Sequence, residues 1–124
     1  MHTRIDLDSF PSENRDDVVR AANLLEEQMT EIRDFRIEAH WRYGTDGGGK
    51  PVATLDLRSL ENGDSFAMVN NSYPLHMLSE SDPELRRRFA LQIWYFTRKL
   101  SEYNRSDLKS LRKELAEMIP VGGE

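Results

Sequence analysis

The sequence predicts an α+β fold with one helix before a meander of strands and two helices after it. Residues 35–43 alternate strictly between apolar and polar side chains, which is typical of a strand with one buried face. The dipeptide at 62–63, Asn-Gly, is a strong signal for a tight hairpin turn. Apolar residues recur at spacings of three and four within 13–33 and within 82–103, as in amphipathic helices. We therefore expect an antiparallel sheet of three or four strands, with the helices packed on one sheet face.

The bulk composition is that of a single domain, which we expect to span 1–124 with a frayed tail at 120–124. The chain carries a net charge of −5, and 38% of its residues are hydrophobic, a balance that favours a globular domain over a disordered one. Its longest apolar runs are about four residues, too short to cross a membrane, and from its first residues we expect no signal peptide. Since it also lacks cysteine, we expect a soluble, cytoplasmic protein without disulfides or membrane partners.

The first two predicted elements precede the strand at 35–43. Residues 3–8 alternate over a short length and suggest a first strand. The helix at 13–33 has one apolar stripe and a charged outer face that is rich in glutamate. The stripe consists of Val18, Ala22, Leu25, Met29 and Ile32.

The three later strands are predicted from alternation and from the hairpin turn. Residues 52–58 place Ala53, Leu55 and Leu57 on one face, as 35–43 do with their apolar members. A two-residue loop at 62–63 also predicts a register, because it determines which residues stand opposite each other. The predicted pairs are Glu61 with Asp64, Ser59 with Phe66, and Leu57 with Met68, which places the third strand near Ser65–Asn70 with Met68 facing the core.

Two helices complete the predicted order. The long helix begins at Asp82-Pro83, which resembles an N-cap followed by a proline in the first turn. A helical turn is expected at 75–78. The last helix spans 107–119 and carries a narrow apolar seam that is formed by Leu108, Leu111, Leu115 and Met118.

The run Trp94-Tyr95-Phe96 predicts that the long helix meets apolar surface on two sides. Successive helical residues point about 100° apart, so three adjacent aromatic residues cannot share one face. One face carries the stripe for the sheet, and the opposite face carries a set of residue types that are common in binding hot spots. This set, the predicted partner-binding patch, consists of Arg87, Leu91, Trp94, Tyr95 and Arg98.

Three interpretations of the patch remain open. The seam of the 107–119 helix folds back and covers Leu91 and Trp94, or the patch binds a second copy or another protein, or its aromatic rings stack on RNA bases. The first two overlap if the last helix leaves Tyr95 free. We expect a small non-catalytic interaction or regulatory module that forms a homodimer through helix 82–103.

The alternative is a factor that binds RNA or the ribosome through a basic region. Residues 84–113 contain nine Lys or Arg and three Asp or Glu, in contrast to the acidic chain as a whole. The candidate contacts are Arg86, Arg87, Arg88, Arg98, Arg105, Lys109, Arg112 and Lys113. In the order of its elements alone the chain resembles ribosome-hibernation and ribosome-associated inhibitor proteins, which run strand–helix–three strands–helix at similar size. It departs from them in its acidic first helix and its additional last helix.

The sequence contains no recognisable catalytic constellation, and we expect neither a cofactor nor a metal. Residues 44–50 fit the spacing G-x-x-x-x-G-K, but proline and a strand follow the lysine, so we expect no nucleotide there. A further alternative is a small ligand site or enzyme on the polar sheet face, where His40 lies beside Glu38 and Asp56 projects from the next strand.

Overall fold

A computed structural model of the chain describes residues 1–32, 36–61, 64–100 and 108–119. Its helices and strands are β1 (His2–Ile5), α1 (Arg15–Gln28), β2 (Arg36–Thr45), β3 (Pro51–Glu61), β4 (Asp64–Pro74), α2 (Asp82–Leu100) and α3 (Leu108–Met118). A 3-10 turn at Leu75–Ser79 connects β4 to the second helix, where the sequence predicted a single helical turn. The predictions for Phe35, for the turn at 62–63, for Arg105 and for the tail at 120–124 lie outside the described residues.

The four strands form a mixed sheet in the order β1-β2-β3-β4. β2, β3 and β4 are antiparallel neighbours, as predicted, but β1 runs parallel to β2, with Thr3 opposite Ala39. The prediction of a wholly antiparallel sheet was therefore wrong. The reason is that α1 lies between β1 and β2 in the chain, and a helical crossover returns the chain to the sheet in the same direction.

The β3–β4 hairpin departs from the predicted register beyond its first pair. Glu61 does stand opposite Asp64, but the register shifts between Leu60 and Ser59. Leu60 pairs with Ser65 and Ser59 with Ala67, so Phe66 is the extra residue of a β-bulge. Leu57 consequently faces Val69, and Met68 stands opposite Arg58 with 52% of its surface exposed. The prediction that Met68 faces the core was wrong, because one inserted residue exchanges the two faces of a strand.

One hydrophobic cluster joins the sheet to the helices. In β2 and β3 the buried positions alternate as predicted, with Ile37, Ala39 and Trp41 in the former and Leu55 and Leu57 in the latter. The cluster also includes buried residues of all three helices, among them Leu25 of α1, Phe89 of α2 and Leu115 of α3. Within the described residues, none of the helices combines the length and the hydropathy that a membrane-spanning helix requires.

A group of aromatic rings and a buried polar chain place α2 against the sheet. The Phe89 ring lies 6.0 Å from that of Trp41 and 5.4 Å from that of Tyr73, both edge-on. The Tyr73 hydroxyl donates to Gln92 Oε1, and Gln92 Nε2 donates to the Leu55 carbonyl at 3.3 Å. Because these contacts bury one side of α2, the opposite side is turned outward.

Candidate functional site

Helix α2 presents two different faces. The Leu85 N–H donates to the Ser81 carbonyl at 3.0 Å, so Ser81 takes the N-cap position that the sequence assigned to Asp82. The buried face contains two polar residues besides its apolar ones, and its members are Leu85, Phe89, Ala90, Gln92, Ile93, Phe96, Thr97 and Leu100. The predicted partner-binding patch occupies the other side: Arg87, Tyr95 and Arg98 are exposed, and Leu91 and Trp94 are half-buried.

Trp94 and Tyr95 form the centre of this patch. Their rings lie 5.1 Å apart with an interplanar angle of 76°, an edge-to-face arrangement. Trp94 packs against the hydrophobic core along part of its surface, whereas Tyr95 is 46% exposed. Of the aromatic side chains whose burial the structure describes, only Tyr95 is exposed.

Two arginines lie over the Trp94 ring. The guanidinium carbon of Arg112, in α3, is 5.1 Å from the ring centroid, and that of Arg98 is 6.0 Å away. Both distances are within the range of a cation–π interaction. The structure thus places Arg112 of α3 over the Trp94 ring and leaves Tyr95 exposed. The last helix therefore covers one part of the patch, and another part of the patch remains accessible.

The arginines at the start of α2 are occupied by carboxylates. Arg86 contacts Glu27 of α1, Arg87 contacts Glu84 at 2.7 Å, and Arg88 contacts Glu80 through two bonds of 2.7 and 3.1 Å. The hydrogen bond from Arg88 lowers the pKa of the Glu80 carboxyl, and Glu80 in turn raises the pKa of Arg88. These pairs reduce the positive potential that the sequence suggested for a phosphate backbone. Among the other candidates for nucleic acid, Lys113 is exposed on α3, Lys109 lies in the same helix, and Arg105 is outside the described residues.

The polar sheet face carries Glu38, His40 and Asp56, but the structure gives each of them a different partner. His40 stands opposite Asp56 in the register, yet its Nε2 lies 3.1 Å from Asp6 Oδ2. Asp56 contacts Arg42 at 2.8 Å and accepts a bond from Asn70. Glu38 contacts Arg58 at 2.9 Å. The predicted ligand residues therefore share a face without converging on one point.

Asp6 was missed by the sequence analysis because it joins this face only when β1 is parallel to β2. In that register Arg4 stands opposite His40, and Asp6, the next residue with the same orientation, reaches the imidazole. The contact with His40 is the main cause that lowers the pKa of the Asp6 carboxyl. The carboxylate is therefore ionised at neutral pH and orients the imidazole, an arrangement found in ligand sites and in structural networks alike.

Two further possibilities concern a metal-binding cluster and the glycine-rich loop between β2 and β3. In the described part of the chain, no group of three or more His, Cys, Asp or Glu side chains could hold a metal ion. In the loop between β2 and β3, Asp46 Oδ1 accepts the N–H groups of Gly48 at 2.8 Å and of Lys50 at 2.9 Å. These backbone amides are thus occupied by the loop itself.

Comparisons of the chain with protein-family models, with curated proteins and with solved structures found no match.

Proposed function

We propose that the protein is a non-catalytic interaction module that binds a second copy of itself through the outer face of α2. The observation that carries this proposal is the exposed Tyr95 ring, held edge-on against the half-buried Trp94. A tyrosine contributes a large apolar surface with few rotatable bonds, and a ring that is already held in place loses little entropy on binding. Such residues dominate the binding energy of protein interfaces.

The surroundings of Tyr95 suit a twofold interface. α2 contacts both α1 and α3, so it lies between the other two helices. A twofold axis near Tyr95 would place the same aromatic pair on both sides, and closed twofold dimers are the commonest homo-oligomers. The nearby charges allow this approach, because Arg87 pairs with Glu84 and Arg112 lies over Trp94.

The test is the solution mass of the protein and of a Tyr95→Glu variant. We expect the parent to be a dimer by light scattering and the variant to be a monomer. Loss of one hot-spot residue costs about 2 kcal/mol or more of binding free energy, which raises the dissociation constant of the dimer about thirtyfold. The helical circular dichroism should be unchanged, because the Tyr95 side chain lies outside the core.

Val19→Glu is the matched control for this experiment. Val19 is also a large apolar side chain on a helix and is 37% exposed, but it lies on α1. The control should remain a dimer. A parent that stays monomeric as its concentration rises, or a Tyr95→Glu variant that dimerises like the parent, would contradict the proposal.

A further inference from the structure

A small recess lies on the polar face of the sheet at the amino-terminal end of β1. Its volume is about 140 Å³, and its lining consists of His2, Arg4, Glu38, Ala39, His40 and Arg58. The strand registers explain why these residues meet. His2 stands opposite Glu38, which in turn stands opposite Arg58, and Arg4 stands opposite His40 in the next row.

The lining concentrates positive and ionisable nitrogen groups in an otherwise acidic protein. Two guanidinium groups and two imidazoles surround one carboxylate, whereas the chain as a whole has a net charge of −5. A second recess shares His2 and Glu38 with the first and adds the guanidinium of Arg36. The two guanidinium charges of the lining exceed its single carboxylate charge, so this corner of the sheet favours an anion.

The two lining arginines retain donors for such an anion. Arg58 uses Nε and Nη2 to contact one oxygen of Glu38, Oε1, at 3.0 and 2.9 Å, and a guanidinium has five N–H donors in all. Arg4 Nε lies 3.5 Å from Asp6 Oδ1, and the Arg4 side chain is 68% exposed. Since this exposed ion pair is weak, Arg4 can turn toward a ligand at a small cost in free energy. His40 is oriented by the Asp6 carboxylate on its Nε2 side.

We propose that this recess binds the phosphate group of a small molecule, with Arg4, Arg58 and His2 as donors and His40 as the oriented wall. Guanidinium groups match the geometry and charge of a phosphate oxyanion, and charge-assisted hydrogen bonds are the stronger ones. Glu38, which also lines the recess, holds Arg58 in position through its Oε1 atom. The recess lies on the sheet face and the proposed dimer contact on α2, so the two proposals are independent.

Titration with inorganic phosphate, followed by amide and imidazole NMR signals, tests this proposal. Sodium chloride at matched ionic strength serves as the blank. We expect saturable shifts at residues 2–4, 38–40 and 58. Arg4→Gln and His2→Asn should each weaken the apparent affinity by about tenfold, the effect of one charge-assisted hydrogen bond. Arg42→Gln is the matched control, since Arg42 lies on the same sheet face but pairs with Asp56 outside the recess.

A second titration with phenyl phosphate identifies the source of the phosphate group. Tighter binding than that of inorganic phosphate supports a phosphomonoester as the ligand, and equal binding supports free phosphate. The proposal is overturned if the shifts do not saturate, if they match the chloride blank, if Arg4→Gln binds as the parent does, or if the control Arg42→Gln weakens binding as much as Arg4→Gln. Tyr95→Glu should bind phosphate unchanged, so failure of the dimer would not affect this result.

Discussion

At the scale of single residues, Gln92 is the side chain in α2 whose role the helical pattern does not reveal. It lies on the buried face and is only 2% exposed. Its amide connects the Tyr73 hydroxyl of β4 to the Leu55 carbonyl of β3. Burial raises the pKa of Tyr73, so the hydroxyl keeps its proton and remains a donor. Buried polar groups that are fully paired restrict the possible positions of a helix on a sheet.

We expect Tyr73→Phe and Gln92→Met each to lower the free energy of unfolding by about 1–3 kcal/mol, because each leaves a buried polar group without its partner. The double variant should lose clearly less than the sum, since it removes both groups. Urea unfolding of the four proteins measures this coupling. Strictly additive losses would show that the two side chains do not depend on each other.

Glu80 provides a second prediction at this scale, on pH. The hydrogen bond from Arg88 lowers the pKa of the Glu80 carboxyl. The ionised carboxylate is therefore more stable in the folded chain than in the unfolded chain, and this difference adds to the free energy of unfolding. This contribution is fully present above the ordinary value of 4.5 and is lost as the pH falls through the lower folded value. Arg88 is 39% exposed, so solvent screening limits the contribution to at most about 1 kcal/mol.

Glu80→Gln should therefore lower the unfolding free energy at pH 7, and its curve should converge with that of the parent at low pH. Denaturant unfolding at a series of pH values measures both curves. Glu114→Gln, on the exposed surface of α3, is the control and should follow the parent throughout. A difference that persists undiminished below the ordinary carboxyl range would assign the effect to packing.

At the scale of elements, the sequence predicted periodicity well and register poorly. Alternation in 35–43 and 52–58 placed Trp41 and Leu57 in the core because side chains on a strand repeat every two residues. The same rule failed at Met68. The extra residue of the bulge, Phe66, reverses the sheet face to which each later residue of β4 points. A bulge depends on how the two strands twist together, and no single strand contains that information.

The candidate sites show the same division between local and long-range information. The 3.6-residue period was sufficient to place Tyr95 and Arg98 on the side of α2 opposite Phe89. It could not show that Arg112, from another helix, lies over Trp94. The recess beside His40 was also out of reach, because Arg4 and Asp6 join that face only through the parallel pairing of β1.

At the scale of the whole molecule, β4 is an edge strand that could pair with other molecules. Exposed edges with free backbone groups promote association between sheets. Here Lys99 of α2 donates to the Met68 carbonyl at 2.6 Å, and the Ser72 N–H donates to Asn71 Oδ1 at 2.9 Å. Residues 68 and 72 are four positions apart, and backbone groups of a strand point to the same side at every second residue. Both bonds therefore occupy backbone groups on one side of β4. We infer that these side chains protect the outer edge of the sheet.

Removal of both protecting side chains should therefore produce a new mode of assembly. In the Tyr95→Glu background, where the proposed α2 contact is absent, we expect Lys99→Met with Asn71→Ala to form species whose mass rises with concentration. Light scattering measures that mass, and infrared spectra should show added intermolecular strand pairing. Lys113→Met, which removes an exposed lysine from α3, is the control and should leave the mass unchanged. A triple variant that remains monomeric would show that the edge of β4 needs no such protection.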